Sequence, residues 1–238
     1  MKIGGLQKLT LVDYPGKVAA TVFLIGCNFR CGFCHNPELV NRSGEQIEIA
    51  EKEFFEFLKE KQGLIDGVCI TGGEPTIYPD LIDFIKKIRS MEFLIKLDTN
   101  GSNPEVLEKL FAEKLLDFVA MDIKTSAEKY EKIHPVKSRD AGSPEAIFNR
   151  VKKSVEIIKN SGIDYEFRTT VVPGLVEKED IEKIGKWLKG AKKIALQQFR
   201  NQKVLDEKFK KTQPYSDKAI KEFAKILEKN IKEVEIRL

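Results

Sequence analysis

Residues 18–36 read Val18-Ala19-Ala20-Thr21-Val22-Phe23-Leu24-Ile25-Gly26-Cys27-Asn28-Phe29-Arg30-Cys31-Gly32-Phe33-Cys34-His35-Asn36. The run from Val18 to Ile25 is apolar and short, which suits a buried strand. Straight after it come three cysteines at C-x3-C-x2-C spacing. Thiols crowded this closely suit a soft metal or an iron–sulfur cluster. A tetrahedral centre normally takes four protein ligands, and the local sequence offers three. A cluster held by three thiolates keeps one iron open to a small molecule. The bland alternative is a structural zinc knot with His35 as fourth ligand. Such sites usually pair two local ligands with two distant ones, and His35 adjoins Cys34 directly. The one other thiol, Cys69, lies within the apolar Gly67-Val68-Cys69-Ile70 and reads as a small core residue.

Outward from this loop, strand-like and helix-like runs alternate. Strands are expected at Val18–Ile25, Gly67–Thr71, Phe93–Leu97, Leu116–Met121, Tyr165–Val172 and Lys193–Phe199, with a short terminal one at Val234–Leu238. Helices are expected at Ile49–Lys61 (Phe54, Phe55 and Leu58 at helical spacing), Pro79–Ser90, from Pro104, at Pro144–Asn160, Glu177–Lys189 and Asp217–Lys229. Pro104 suits a first helical turn. This repetition predicts an α/β chain with a parallel sheet and helices outside. Six such units are two fewer than an eightfold barrel needs. No linker or repeat interrupts the 238 residues, which fit one domain, 1–238. The stretch from Ile133 to Gly142 reads as the most mobile loop, and His134 within it as structural or loop-exposed.

Composition narrows the class. The chain is 42% hydrophobic and 33% charged, a globular balance. Its 41 basic and 37 acidic residues leave a net charge of +4, too balanced to argue for nucleic acid. No apolar run approaches the ~20 residues of a membrane span, and the N-terminus has no signal-like segment. The clustered cysteines do not resemble a secreted disulfide framework. A cytoplasmic, reducing setting is expected.

Polar motifs gather at the strand ends, where such folds place their sites. Gly72-Gly73-Glu74 follows the second strand. Its glycines let backbone approach a ligand, and Glu74 could accept from a ligand ammonium; the alternative is a plain turn with a solvated glutamate. Asp98-Thr99-Asn100 follows the third strand and Asp122-Ile123-Lys124 the fourth. Asp98 could instead cap the turn before Pro104, and Lys124 could be a surface lysine. Arg168 sits inside the fifth strand, where a charge is costly unless paired. Gln197-Gln198-Phe199-Arg200 closes the sixth.

Together these residues resemble the radical S-adenosylmethionine (SAM) enzymes, whose cluster loop is C-x3-C-x-aromatic-C, with Phe33 as the aromatic. The resemblance implies a TIM-like partial (β/α)6 barrel of parallel strands, open on one side. It implies a 4Fe–4S cluster on Cys27, Cys31 and Cys34, whose open iron chelates SAM. One electron then cleaves SAM to methionine and a hydrogen-abstracting 5′-deoxyadenosyl radical. The Gly72-Gly73-Glu74 stretch corresponds to the contact with the SAM amino group. Within the superfamily the chain is similar to the activases of glycyl radical enzymes. Leu11-Val12-Asp13-Tyr14-Pro15-Gly16-Lys17, Cys34-His35-Asn36-Pro37, the Asp98 and Asp122 motifs and Arg168 carry that likeness, over roughly residues 11–200.

In that branch the counterparts of Asp98 and Asp122 help hold a monovalent cation beside the SAM carboxylate. Lys124 would contact SAM, with Thr99 and Asn100 lining the site. Arg168 would lie near SAM and the substrate backbone. Phe33 would pack on the adenine, and His35 would shield the cluster edge. The activases tend to carry a histidine after the sixth strand; Gln198 or Arg200 would replace it here. The implied activity is SAM-dependent installation of a glycine radical on a partner enzyme, with the anaerobic ribonucleoside-triphosphate reductase as the expected partner. A ferredoxin or flavodoxin would supply the electron. Two other readings stand: a radical SAM enzyme acting on a small molecule or nucleoside, and a non-catalytic iron–sulfur or zinc protein.

Overall fold

A computed structural model describes residues 1–40, 48–133 and 143–238. The loop expected to be mobile lies outside these residues except for Ile133, and so does His134. The chain forms one eight-stranded sheet in sequential order. β1 is Ile3–Thr10 and β2 Ala19–Leu24, followed by α1 at Glu51–Lys61. The alternation continues with β3 (Gly67–Gly72), α2 (Leu81–Arg89), β4 (Leu94–Thr99), α3 (Pro104–Ala112), β5 (Phe118–Asp122) and α4 (Pro144–Lys159). It ends with β6 (Asp164–Val171), α5 (Lys178–Trp187), β7 (Lys193–Gln198), α6 (Asp217–Leu227) and β8 (Glu233–Arg237). From β2 to β8 every pairing is parallel. The six expected βα units are all present.

β1 was not anticipated. It pairs antiparallel with β2 through a register broken at two places, between Ile3 and Gly5 and between Gln7 and Thr10. Its Gly4-Gly5 pair and Lys8 weaken any strand signal, and pairing with the buried β2 supplies what propensity does not. The first and last strands are not paired to each other, so the barrel stays partial and open on one side.

The two faces of the sheet differ, and this places the site. In a sheet covered on both faces, parallel strands read as continuous apolar runs. Here they alternate. Ile95 and Leu97 of β4, Tyr165 and Phe167 of β6, and Ile194 and Leu196 of β7 join the core under the helices. Lys96, Asp98, Glu166, Arg168, Lys193 and Gln197 alternate with them in sequence and line the opposite, concave face. The helices cover the outer face with matching stripes. α2 buries Leu81, Phe84, Ile85 and Ile88, each worth about 1.5–3 kcal/mol. Surface ion pairs between helices contribute about 0–1 kcal/mol, so the apolar layer decides the packing. In α1 the buried set is Phe54, Phe57 and Leu58 rather than the expected Phe54, Phe55 and Leu58. Phe55 lies at the stripe's edge, with its ring 5.5 Å from Phe84.

The terminal strand is fastened by charge. Arg237 of β8 reaches across β7 and donates Nη1 and Nη2 to the buried Glu166 of β6 at 3.0 and 2.7 Å. It also donates to Glu235 at 2.9 and 3.0 Å. Arg237→Ala leaves Glu166 buried without its partner and should lower stability by about 3 kcal/mol, measured by urea unfolding at neutral pH. The Arg237 hydrogen bond, aided by Lys193, holds the Glu235 carboxyl down at about 2. A depressed carboxyl stabilises fully above its unfolded value near ~4.3, and that contribution fades as pH falls through the folded value. Glu235→Gln should therefore be weaker than the wild type above pH ~4.5. The gap should close as pH approaches ~2.

Candidate functional site

The cysteine loop is built by backbone contacts that need its small residues. Gly26 leaves β2 at φ +101°, a conformation that suits glycine. Its N–H donates to Leu39 O at 2.6 Å, and the Cys27 N–H donates to Val40 O at 3.1 Å. Arg30 folds back, and its Nη1 donates to Cys27 O at 2.6 Å and Phe29 O at 2.9 Å. The Cys34 N–H closes the turn onto Cys31 O at 2.9 Å. Burial pushes the Cys27 thiol up to about 12 and the Cys31 thiol to about 11. Both therefore hold their protons at neutral pH, and binding a metal would release them.

The Gly72-Gly73-Glu74 turn abuts this loop. The Gly73 N–H donates to Leu24 O at 2.8 Å and the Glu74 N–H to Gly26 O at 2.9 Å. A Cβ on Gly72 would strike the Leu24 backbone, and one on Gly73 the Gly26 carbonyl. These glycines thus dock the β3 turn on the cysteine loop, backbone against backbone. Glu74 is 1% exposed. Its Oε1 accepts from the Thr76 N–H at 3.1 Å and from the Thr76 and Thr99 hydroxyls at 2.6 and 2.8 Å. Its Oε2 accepts from the Asn100 N–H at 2.6 Å. Burial outweighs these donors and raises its pKa. Oε1 is saturated, which leaves Oε2 as the oxygen with capacity for a ligand ammonium. Asn100 Nδ2 in turn donates to Asn28 Oδ1 at 2.9 Å, tying the β4 end to the cysteine loop.

Opposite the cysteines lies a chain of ion pairs. Arg168 bridges the two aspartates: Nη1 lies 3.0 Å from Asp98 Oδ2, and Nε lies 2.9 Å from Asp122 Oδ1. Lys124 Nζ is 2.8 Å from Asp122 Oδ2. Lys96, 2% exposed, pairs with Asp98 Oδ1. Thr71 donates to Asp98 Oδ2 at 3.1 Å. Two unit charges about 4 Å apart interact with about 4 kcal/mol at an effective dielectric of ~20. Desolvation offsets much of that. Burial opposes ionisation of both carboxyls. Arg168 and Lys96 nonetheless hold Asp98 below the usual range, and Arg168 and Lys124 do the same for Asp122. Asp122 and Asp98 outweigh burial at Lys124 and Lys96 and raise both pKa values.

These elements enclose one cavity of about 260 Å³. It brings together Cys27, Cys31, Cys34, Phe33, His35, Gly72, Gly73, Glu74, Asp98, Thr99, Asn100, Asp122, Lys124 and Arg168, all picked out by the sequence. Phe33 is buried and edge-on to Phe209, with ring centroids 6.1 Å apart. His35 sits 6.2 Å from the Phe199 ring, and burial lowers its pKa, so it is neutral at pH 7.

Gln198 and Arg200 are not on this cavity. Both line a neighbouring opening, where Gln198 Nε2 donates to Tyr215 O at 2.7 Å and Arg200 Nη2 donates to Leu238 O at 3.3 Å. Strand parity is the reason: Gln197, one residue earlier, faces the concave side and lines the cavity. Sequence reasoning also missed Thr170, Asn28 and Lys96. The signal for Lys96 was available, since a lysine between Ile95 and Leu97 in an apolar strand shares its face with Asp98.

The radical SAM superfamily matches residues 21–188, most of the chain. The chain belongs to the radical SAM superfamily. A Methanocaldococcus jannaschii protein provisionally named as a glycyl-radical enzyme activating enzyme is 37% identical over 238 residues, covering 99% of this chain and 95% of its own. The pyruvate formate-lyase-activating enzyme of Clostridium pasteurianum is 30% identical over 200 residues, 81% of this chain and 78% of its own. The 7-carboxy-7-deazaguanine synthase of Methanothermobacter thermautotrophicus is 29% identical over 163 residues, 66% and 63% of the two chains. Among solved structures, Streptococcus suis SuiB bound to S-adenosylmethionine superposes with a TM-score of 0.63 at 15% identity. The match covers 90% of this chain and 49% of that one, and it speaks to the fold.

This radical SAM enzyme thus falls among relatives that activate glycyl radical enzymes, and its family carries SAM and a 4Fe–4S cluster. The donors present fit that pair. Three cysteines of one loop open on one cavity. The monovalent cation fits less well, because Lys96, Arg168 and Lys124 already neutralise the Asp98 and Asp122 carboxylates and a further cation would bring like charge beside them. Gly73→Ala should break the Glu74–Gly26 hydrogen bond and part the turn from the cysteine loop. We expect a loss of about 2 kcal/mol or more in urea unfolding, with reduced iron retention after anaerobic reconstitution.

Proposed function

We propose that this chain is a SAM-dependent activase that installs a glycine radical on a partner enzyme, with the anaerobic ribonucleoside-triphosphate reductase as partner. What supports the reading most is one cavity with three thiols of a single loop on one wall and the Asp98–Arg168–Asp122 network on the other. Cys27, Cys31 and Cys34 would hold the cluster. The bound cluster and SAM supply the one-electron cleavage chemistry of the family.

The remaining roles belong to the chain's own groups. Lys124 and Arg168 would receive the SAM carboxylate, with electrostatics already oriented toward it. Glu74 Oε2 and the backbone beside Gly72 and Gly73 would receive the amino group. Thr99 and Asn100 would fix the β4 rim. Phe33 and His35 would flank the adenine and exclude water, with Gln197 on the side first assigned to Gln198 and Arg200. The open side between β1 and β8 leaves room for a peptide loop. A single domain, a cytoplasmic setting and a ferredoxin or flavodoxin as electron donor complete the proposal. No helix among the described residues is long and apolar enough to cross a membrane.

The second reading, catalysis on a small molecule or nucleoside, is favoured by the likeness to a 7-carboxy-7-deazaguanine synthase. The two are separated by anaerobic incubation of reconstituted protein with SAM, reductant and the reductase. A glycyl radical seen by electron paramagnetic resonance is expected. Turnover of a metabolite without any protein partner, and no radical with any candidate enzyme, would transfer the case to the second reading. Cys31→Ala should lose iron, sulfide and SAM cleavage together; cleavage that survives would contradict the cluster assignment. Arg168→Lys should keep the cluster, because it leaves the cysteine loop intact. One ammonium cannot bridge both aspartates as the guanidinium does. SAM affinity should fall about tenfold or more, read by calorimetric titration.

A further inference from the structure

The concave face holds one buried charge that the proposed function leaves without a task. Lys96 is 2% exposed and ranks among the largest fully buried side chains. A lysine is seldom that deep unless paired. No packing need explains it, since Leu or Met would fill the same place in an apolar strand. Its surroundings are specific. From β4 itself it pairs with Asp98 Oδ1, from β3 the Cys69 sulfur lies 3.6 Å from Nζ, and from β5 the Phe118 ring lies 5.9 Å away. Burial pushes the Cys69 thiol up, so it brings no charge. Asp98 is thus the anion that Lys96 serves.

Asp98 is also held by Arg168, which reaches on to Asp122, which is held by Lys124. The network sums to three cations, Lys96, Lys124 and Arg168, against two carboxylates. The surplus is one positive charge, the complement of one ligand carboxylate. Without Lys96 the same rim is neutral, and an arriving carboxylate meets two aspartates with no net attraction. Removing Lys96 frees Asp98 Oδ1, where a cation from solution could restore that charge. With Lys96 in place such an ion would bring like charge beside Lys96 and Arg168.

We propose that the Lys96 ammonium is the built-in cation of this site, a positioning residue that holds Asp98 and the rim ready for the SAM carboxylate without a monovalent cation from solution. The inference rests on the reading of this cavity as the SAM site. Lys96 acts through Asp98 and does not touch the ligand. The chain would therefore depart from the cation-assisted arrangement that its resemblance to the activases implies.

The test uses the reconstituted, cluster-loaded protein. SAM dissociation constants are measured calorimetrically in potassium, sodium and choline chloride at equal ionic strength, and KM for SAM and kcat are measured in the same salts. The wild type should bind SAM equally in all three, within about twofold. Lys96→Met should bind about tenfold or more weakly in choline and recover most of that loss in potassium or sodium. KM should follow the cation while kcat does not. A wild type that needs potassium or sodium overturns the inference and leaves the SAM site standing. So does a Lys96→Met protein that binds like the wild type in choline, or one whose loss no cation restores. If the wild type binds no SAM in any salt, the reading of the cavity falls, and the inference with it. The wild-type series decides the question even if Lys96→Met does not fold.

Discussion

Charge is admitted to the concave face of this sheet only where it is paired, and the arrangement of the site follows from that constraint. Three adjacent strands carry ionisable residues that line one cavity: Asp98 near the end of β4, Asp122 at the end of β5 and Arg168 within β6. Adjacent parallel strands bring their ends together in register, and Asp122 and Arg168 are direct partners. The guanidinium suits this task because its planar fork reaches two carboxylates at once. The pairs need not add to stability, since desolvation offsets their attraction. Their effect is to hold a polar rim in one geometry.

The cysteine loop depends on a different constraint, close approach. Gly72 and Gly73 let the β3 turn lie against Leu24 and Gly26, and Glu74, Asn100 and Asn28 extend that contact from β3 to β4. The thiols and the ion network are therefore parts of one rim, joined by hydrogen bonds from β2 through β4. Cluster and ligand chemistry would act across a short, fixed gap, which is what electrostatic preorganisation requires.

Legibility varied with the range of the interaction. The six βα units could be read because hydrophobic periodicity is local, and the three cysteines because their spacing is. Gly72-Gly73-Glu74 could be found as a motif, but its glycines face the β2 backbone, a contact made by strand pairing and invisible in one segment. Gln198 was picked, whereas its neighbour Gln197 lines the cavity with the cysteines, since one residue along a strand reverses the face. β1 was passed over because glycine-rich Ile3–Thr10 has little strand propensity and owes its form to β2. Lys96 was overlooked although its parity with Asp98 was readable.

The sequence by itself determined the fold class, the cysteine loop and the identity of the charged rim residues. Alternation along each strand and spacing within each loop are covalent facts of the chain. Only the tertiary structure decided which charges meet which. Whether Asp98 is balanced by Arg168, Lys96 or an ion from solution depends on strands separated by many residues. Coulombic pairing at about 3 Å is set by the curvature and register of the sheet, and no local pattern encodes either.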